Sequence, residues 1–465
     1  MKPAIHVDSA IRIFEADLSE EVLHAIEADL TLPNPKWEQV ETYSRSRRRN
    51  YQPEFLTYFL RKNNVLIMPR GYIHTLHYRL KGLPYHIVDR TRTLEPVNIP
   101  FRATLHPYQK KAVKDATSRR FGVIEAPPGA GKTVIALKII AHRKQPALVI
   151  VHTKELMYQW LKRASQFLGI SEEEIGLIGD GNKRIGSRLT IAIINSLYKV
   201  IDEVKPCIGH LIVDECHHVP ARTFTDAVSK FDCSFMLGLS ATPYRRDNLT
   251  KIIYFYLGDR MHWIKPHELQ AIDRIMRAKL ILRHTGCSYF FDSDEYQYMI
   301  SALVSDTKRN KLIVEDVIQR TSACSGSGGI ALVISDRVSH CEELYKGISS
   351  QGIKACLLTG SVPVKERARI VEALNGNEAQ VLVATAQLIG EGFDLKQLSS
   401  IFLATPIKFT GRVKQYIGRI LRVTHGKEDA LIFDYLDSNG MLKNSFQSRL
   451  WAYQDMGVKL DTIRD

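Results

Sequence analysis

The sequence predicts an α/β protein with two parallel-sheet domains in series, led by a smaller α+β domain. Three observations carry that expectation. At 465 residues the chain exceeds what one ordinary hydrophobic core supports. From Phe101 onward, short apolar runs alternate with helical patterns, the signature of strands buried on both faces and joined by helical crossovers. The runs fall into two similar sets, separated by about eighty residues that include a helical stretch.

The first hundred residues differ in charge and pattern. Acids dominate up to Glu41, and Leu18, Val22, Leu23, Ile26 and Leu30 recur at helical spacing behind Ser19, an N-cap candidate. From Thr42 to Leu94 eleven cations face only Glu54 and Asp89, and aromatic residues and histidines are interleaved with them. Cations neutralise phosphates and flat side chains stack on bases, so the Arg47, Arg48, Arg49 run is a candidate nucleic-acid contact. The same aromatics also suit the core of a small domain, with the arginines as its solvated face.

The first parallel set comprises FGVIEA (121–126), ALVIVH (147–152), LTIAIIN (189–195), HLIVDE (210–215) and FMLGLSA (235–241). The second comprises GIALVIS (329–335), KACLLTG (354–360), AQVLVAT (379–385), SSIFLAT (399–405) and DALIFDY (429–435). Residues 296–320 between the sets read as helices, and 322–329 is a short Gly/Ser-rich stretch. The expected divisions are 1–100, 101–260 and 261–465.

Composition narrows the class. With 45% hydrophobic and 25% charged residues, the chain lies outside the disordered range. A formal charge of +14 suits a polyanion such as nucleic acid, and equally suits a protein kept soluble by its charge. Seven scattered cysteines without a CxxC pair offer neither a zinc site nor a disulfide framework, so a reducing cytosol is expected. No run reaches the roughly 18 apolar residues of a membrane span, and no targeting signal stands at the N-terminus. The expectation is a cytoplasmic monomer of a bacterial or phage-infected cell, without a membrane partner.

Three motifs point to nucleotide chemistry. APPGAGKT, Ala126 to Thr133, lies between a strand and a helix. Small residues let backbone N–H groups face phosphates, Lys132 reaches the β/γ-phosphates and Thr133 is suited to ligate Mg²⁺. Asp214-Glu215-Cys216-His217 ends the fourth strand and brings two acids to the edge where such sheets bind ligands. Asp214 is suited to hold Mg²⁺, usually through water, and Glu215 to polarise an attacking water. In QYIGRILR, Arg419 and Arg422 are three apart and share a helix face, the spacing of candidate arginine fingers.

From Leu105 to Tyr435 the chain resembles superfamily 2 DExH helicases and translocases with tandem RecA-like domains. The ordered set is LHPYQ, APPGAGKT, VHTKELMYQW, INSL, DECH, SATP, ALVISDRVSHCEEL, LLTGSVPVKER, ATAQLIGEGFDL and QYIGRILR. DECH, SATPYRRD, IGEGFD and GRILR are most similar to XPB-type translocases and phage branch-migration helicases. Arg245-Arg246-Asp247 stands where XPB-type proteins carry Arg-Glu-Asp, and Tyr416 where many relatives carry arginine.

The resemblance implies that Gln109 reads adenine, while Pro128, Gly129, Ala130, Gly131, Lys132 and Thr133 hold the phosphates and Mg²⁺. Ser240 and Thr242 would couple nucleotide state to movement, and Gly392, Asp394, Gln415, Arg419 and Arg422 would complete the ATP site. Thr153, Lys154, Asn195, Ser196, Thr359, Gly360 and Thr385 would track one nucleic-acid strand. VLIMPRG (65–71) resembles part of the small domain preceding the motor in phage members, and Arg70-Gly71 equally suits a turn between two strands. The implied activity is ATP-dependent remodelling of branched or duplex DNA in recombination or repair, travelling 3′ to 5′. An RNA helicase and a motor subunit of a restriction or defence complex are the alternatives.

Overall fold

The structure, a computed structural model, describes residues 3–35, 37, 53–217, 221–241, 249–286, 296–323, 329–390, 395, 397–407, 410–424, 427, 429–437 and 440–464. Two compact units separate: residues 1–126 with 131–264, and residues 127–130 with 265–465. The first holds a small mixed sheet and an eight-stranded sheet, the second a seven-stranded sheet. Both large sheets are mostly or wholly parallel and flanked by helices, the tandem RecA-like arrangement, with the α+β domain ahead of them.

That small domain is built on strands β1 (Ala4–Val7), β2 (Ala10–Phe14), β3 (Thr31–Pro33), β4 (Phe55–Thr57), β5 (Leu60–Lys62), β6 (Val65–Pro69) and β7 (His86–Asp89). Five of them form a sheet in the order β5-β6-β2-β1-β7. Alternation along the strands sends Ile5, Val7, Ile11, Ile13, Leu66 and Met68 into a core with Ile26 and Leu30. The expected helix runs Glu20–Asp29, and the Ser19 hydroxyl accepts the Val22 N–H at 3.3 Å. The β3–β4 ribbon is closed by Asn34, which donates to Glu54 O (2.8 Å) and Pro53 O (2.7 Å). Arg47, Arg48 and Arg49 lie outside the described residues.

Arg70 and Gly71 form a buried turn after β6, but it leads into the helix Ile73–Arg79 and not into a second strand. Arg70 is 2% exposed, donates to Cys233 O (2.7 Å) and Asp8 O (3.2 Å), and lies 5.5 Å from the Phe121 ring centroid. It fastens the small domain to the adjoining eight-stranded sheet. A Cβ on Gly71 would sit 2.3–2.7 Å from the backbone of Tyr254, Phe255 and Gly258, so only glycine permits this approach.

The eight-stranded sheet comprises β8 (Phe121–Glu125), β9 (Ala147–Val151), β10 (Gly176–Gly179), β11 (Asn182–Arg184), β12 (Leu189–Ile193), β13 (His210–Val213), β14 (Phe235–Ser240) and β15 (Arg260–Trp263). Their order is β11-β10-β12-β9-β13-β14-β8-β15. Only β10–β11 is antiparallel, so the five strands expected from sequence all point the same way.

In the second unit β16 (Lys279–His284), β17 (Ile330–Ser335), β18 (Ala355–Leu358), β19 (Val381–Thr385), β20 (Leu398–Leu403), β21 (Leu431–Leu436) and β22 (Lys459–Arg464) are ordered β18-β19-β17-β20-β21-β16-β22. All their pairings are parallel. β16 and β22 add to the five expected strands, and the expected helices appear as Tyr296–Val304 and Thr307–Ala323. On the helix Val338–Ser349 after β17, buried His340 lies between Ser335 Oγ (3.0 Å) and Asn310 Oδ1 (2.9 Å). The Asn310 amide donates to Val304 O and Glu343, so its oxygen accepts from His340 Nε2 and the Ser335 hydroxyl donates to Nδ1. Burial pushes the His340 pKa down to about 3, and the neutral tautomer holds strand, loop and helix together. No helix among the described residues is long and apolar enough to cross a membrane.

Gly71→Ala is expected to destabilise the first unit by about 2–3 kcal/mol, the cost of overpacking against backbone that has little freedom to retreat. Urea denaturation measures it; wild-type stability would show the small domain to be loosely attached.

Candidate nucleotide and nucleic-acid sites

Parallel strands deliver their following residues to one edge, and five loops of the first unit emerge there. After β8 comes Ala126, after β9 Thr153, after β12 Asn195, after β13 Asp214, and β14 ends at Ser240. The order β12-β9-β13-β14-β8 divides the edge. Residues assigned to nucleic acid follow β9 and β12, whereas those assigned to the nucleotide follow β8, β13 and β14.

At the nucleotide side, Gly131 takes φ +80° and caps the helix Lys132–Arg143. A Cβ there would lie 2.5 Å from Gln109 Nε2, so the loop needs glycine for both conformation and space. Gln109 is buried and accepts the His106 N–H at 3.0 Å as half of a capping box, which leaves its amide end against the loop. Pro128, Gly129 and Ala130 complete the loop, with Ala130 N–H donating to Pro127 O at 3.2 Å. Lys132 Nζ donates to Ala126 O at 3.2 Å and lies 3.3 Å from Glu215 Oε1.

Glu215 has φ +45°, a left-handed conformation costing a non-glycine residue about 1 kcal/mol or more. Its carboxylate also faces Ala241 N–H (3.4 Å) and His217 Nδ1 (3.5 Å). His217 Nδ1 is in turn 2.9 Å from the buried Ser240 hydroxyl, so the DECH box and the end of β14 are directly bonded. Thr242 lies outside the described residues.

Asp214 is buried and accepts from Trp160 Nε1 at 2.7 Å. Burial, and then the charge of Glu215, push its pKa up to about 6 against the opposing pull of Trp160 and Lys132. A divalent cation offsets both causes. Thr133 Oγ1, also buried, accepts from Arg163 Nη1 at 3.1 Å. A hydroxyl and carboxylates are the hard oxygen donors that Mg²⁺ takes, so Thr133 and Asp214 fit the ion the motifs imply.

Toward nucleic acid, the Thr153 hydroxyl caps the helix Lys154–Leu168 by accepting the Leu156 N–H at 3.3 Å. Exposed Lys154 pairs with Asp180 Oδ1 at 2.7 Å, and Tyr158 donates to the other oxygen at 2.7 Å. Asn195 is exposed and Ser196 half-buried in the short helix Ile194–Leu197 after β12, beside β9.

In the second unit, Thr359 and Gly360 follow β18 and Thr385 ends the adjacent β19. Gly360 is exposed with open space where a side chain would be, but Thr359 is 2% exposed with its hydroxyl 2.8 Å from Ser361 Oγ. Gln415 and Arg419 are half-buried on the helix Thr410–Ile420, and Arg422 follows it. Tyr416 is buried and donates to Ala386 O at 2.6 Å, anchoring that helix. Lys427 donates to Ile420 O and to Arg422 O (3.1 Å), closing the helix end beside both arginines, and burial brings its pKa down to about 7. Gly392 and Asp394 lie outside the described residues. Sequence reasoning singled out neither Trp160, Arg163, Asp180 nor Lys427, since each acts through another side chain or the backbone.

Comparison with known proteins places the chain among helicases. Residues 102–245 match the family described as type III restriction enzyme, res subunit, and residues 310–424 match the helicase conserved C-terminal domain. A helicase of Escherichia phage T5 is 25% identical over 82% of this chain and 82% of its own. The DNA 3′-5′ translocase XPB2 of Sulfurisphaera tokodaii is 34% identical over 36% of this chain and 37% of its own. A fragment structure of an HsdR subunit of a type I restriction enzyme from Vibrio vulnificus superposes with TM-score 0.61, 18% identity, and coverage of 79% of this chain and 69% of that one.

The raised Asp214 pKa sets a pH dependence. The native state holds the Asp214 proton more tightly than the unfolded chain, whose aspartate titrates near 3.8. This contribution to stability is therefore fully present below that value and is lost as pH rises through about 6. In chelator-containing buffer, the melting temperature of Asp214→Asn should gain on wild type between pH 5 and 7.5; a pH-independent difference would contradict it.

Proposed function

The chain belongs to the superfamily 2 helicases, nucleic-acid-dependent ATPases, as a relative of their XPB-type and phage members, and from that premise we propose that it is a DNA motor that remodels branched or duplex DNA. The observation that carries the proposal is the single edge of the eight-stranded sheet, where the Lys132–Glu215–Asp214 cluster and the Thr153, Lys154, Asn195 and Ser196 group emerge from neighbouring strands. The XPB2 translocase supports DNA as the polymer and 3′ to 5′ as the direction. A sequence charge of +14 suits either polymer.

In this reading the loop N–H groups and Lys132 hold the ATP phosphates, and Gln109 recognises the base. Thr133 and Asp214 hold Mg²⁺, which when bound neutralises charge developing on the phosphoryl oxygens. Glu215 accepts a proton from the attacking water. Its side chain already faces Lys132, and its left-handed backbone fixes the direction in which the carboxylate leaves β13. His217 and Ser240 bond the acid box to the end of β14, a route by which phosphate loss alters the following loop. Arg419 and Arg422 supply further positive charge to the γ-phosphate, and Gly392, Asp394 and Gln415 complete the nucleotide contacts. Thr242 acts with Ser240 in coupling.

Thr153, Lys154, Asn195, Ser196, Thr359, Gly360 and Thr385 grip one strand by its backbone. Buried Thr359 does so through its main chain. The basic run Arg47, Arg48 and Arg49 engages duplex next to the motor.

Steady-state ATP hydrolysis over single-stranded, duplex, forked and four-way DNA and over RNA tests the proposal, with Lys132→Ala as the blank. Forked or four-way DNA should stimulate most; strongest stimulation by RNA would replace DNA as the substrate, and none by any polymer would overturn the reading. Asp180→Asn should tighten single-strand binding by a few fold at low salt, because it releases Lys154 and removes a negative charge beside the phosphates. Unaltered affinity would place Lys154 away from the strand.

A further inference from the structure

The helix Lys154–Leu168 joins the two halves of the sheet edge. Its buried stripe, Met157, Trp160, Leu161, Ala164 and Leu168, packs it on the sheet, as amphipathic spacing requires. Two polar groups leave this helix on one face three residues apart. Trp160 donates its indole N–H to Asp214 Oδ2 (2.7 Å), and Arg163 donates to Thr133 Oγ1 (3.1 Å). The acceptors follow separate strands, Asp214 directly after β13 and Thr133 in the first turn of the helix Lys132–Arg143 after β8, and they are the two side chains suited to Mg²⁺. At the N-terminus of the same helix, about 9 Å from Trp160 at 1.5 Å per residue, stand Thr153 and Lys154.

We propose that Trp160 and Arg163 are positioning residues that transmit nucleic-acid engagement at Thr153 and Lys154 to the metal ligands Asp214 and Thr133. The inference rests on the functional reading above and specifies how its two halves communicate. A regular helix moves as a body. A phosphate that draws Lys154 away from Asp180 therefore shifts the donors six and nine residues along, and with them the oxygens they orient. Trp160 is suited to this because it is locked in the core at 1% exposure, so its N–H cannot follow Asp214 unless the helix does. Arg163 is exposed, and its reach to Thr133 is not required for packing.

That difference separates positioning from folding. Trp160→Phe keeps most of the buried volume and loses the N–H. Arg163→Gln removes the charged donor from a surface position, and Arg163→Lys restores a cation with poorer geometry.

The test is thermodynamic coupling: the affinity of a fluorescent ADP with Mg²⁺, measured with and without single-stranded DNA, and the reciprocal DNA affinity with and without that nucleotide. Linkage requires the two ratios to be equal. Both Trp160→Phe and Arg163→Gln should bring the ratio toward one while DNA affinity without nucleotide stays within about twofold of wild type. DNA stimulation of ATP hydrolysis should drop by about tenfold, and Arg163→Lys should recover part of both. Wild-type coupling in both variants would overturn the inference and leave the functional reading standing. Absence of coupling in wild type, with either DNA or RNA, would overturn both. If Trp160→Phe fails to fold, Arg163→Gln decides alone.

Discussion

Parallel strand direction is the constraint on which the rest of the first unit depends. Strands β8, β9, β12, β13 and β14 run the same way, so residues that follow them in sequence collect at one edge, although up to about a hundred positions separate them. A strand reversed in that set would carry its acidic box or phosphate loop to the opposite edge. The apolar runs of these strands therefore act on function through direction as much as through stability, since burial on both faces is what allows a parallel sheet to exist. The same logic gathers Thr359, Gly360 and Thr385 in the second unit.

Onto this scaffold the chain adds local devices that hold polar groups against their own preferences. Glu215 sits in a backbone region that glycine prefers, and Asp214 keeps a carboxyl where charge is disfavoured. Each is a cost concentrated at the edge proposed to bind nucleotide, where preorganised charge is most useful. In the second unit the devices are more conventional. His340, Ser335 and Asn310 form a satisfied neutral network, and Tyr416 ties the Arg419 helix to Ala386 O.

How much of this was legible in sequence follows from burial and from who acts on whom. All ten expected parallel strands are present because their apolar runs have no other use. β10, β11, β15, β16 and β22 stand outside those runs: β11 is the polar run Asn182–Arg184, β22 is mostly polar at a sheet edge, and β10 is partly glycine. The motif residues were legible since glycine, lysine and paired acids at fixed spacing carry their chemistry openly. Trp160 and Arg163 were not. A tryptophan in an apolar stripe reads as core, which it is, and nothing in its spacing says that its N–H meets an acid fifty-four positions away. Arg70 shows the converse: a cation in a basic segment reads as surface, yet it is buried as a fastener to Cys233 O.

Glu215, facing Lys132 at the carboxyl edge of β13, is proposed to accept the proton during hydrolysis and not merely to bind nucleotide. Rapid-quench single-turnover hydrolysis by Glu215→Gln at saturating single-stranded DNA tests it most directly, alongside ATP affinity for the same variant. Affinity should stay within a few fold of wild type while hydrolysis slows by about a hundredfold or more, in the range of lost general-base catalysis. Wild-type hydrolysis would contradict it, and a rate lost only in proportion to ATP affinity would reduce Glu215 to a binding group.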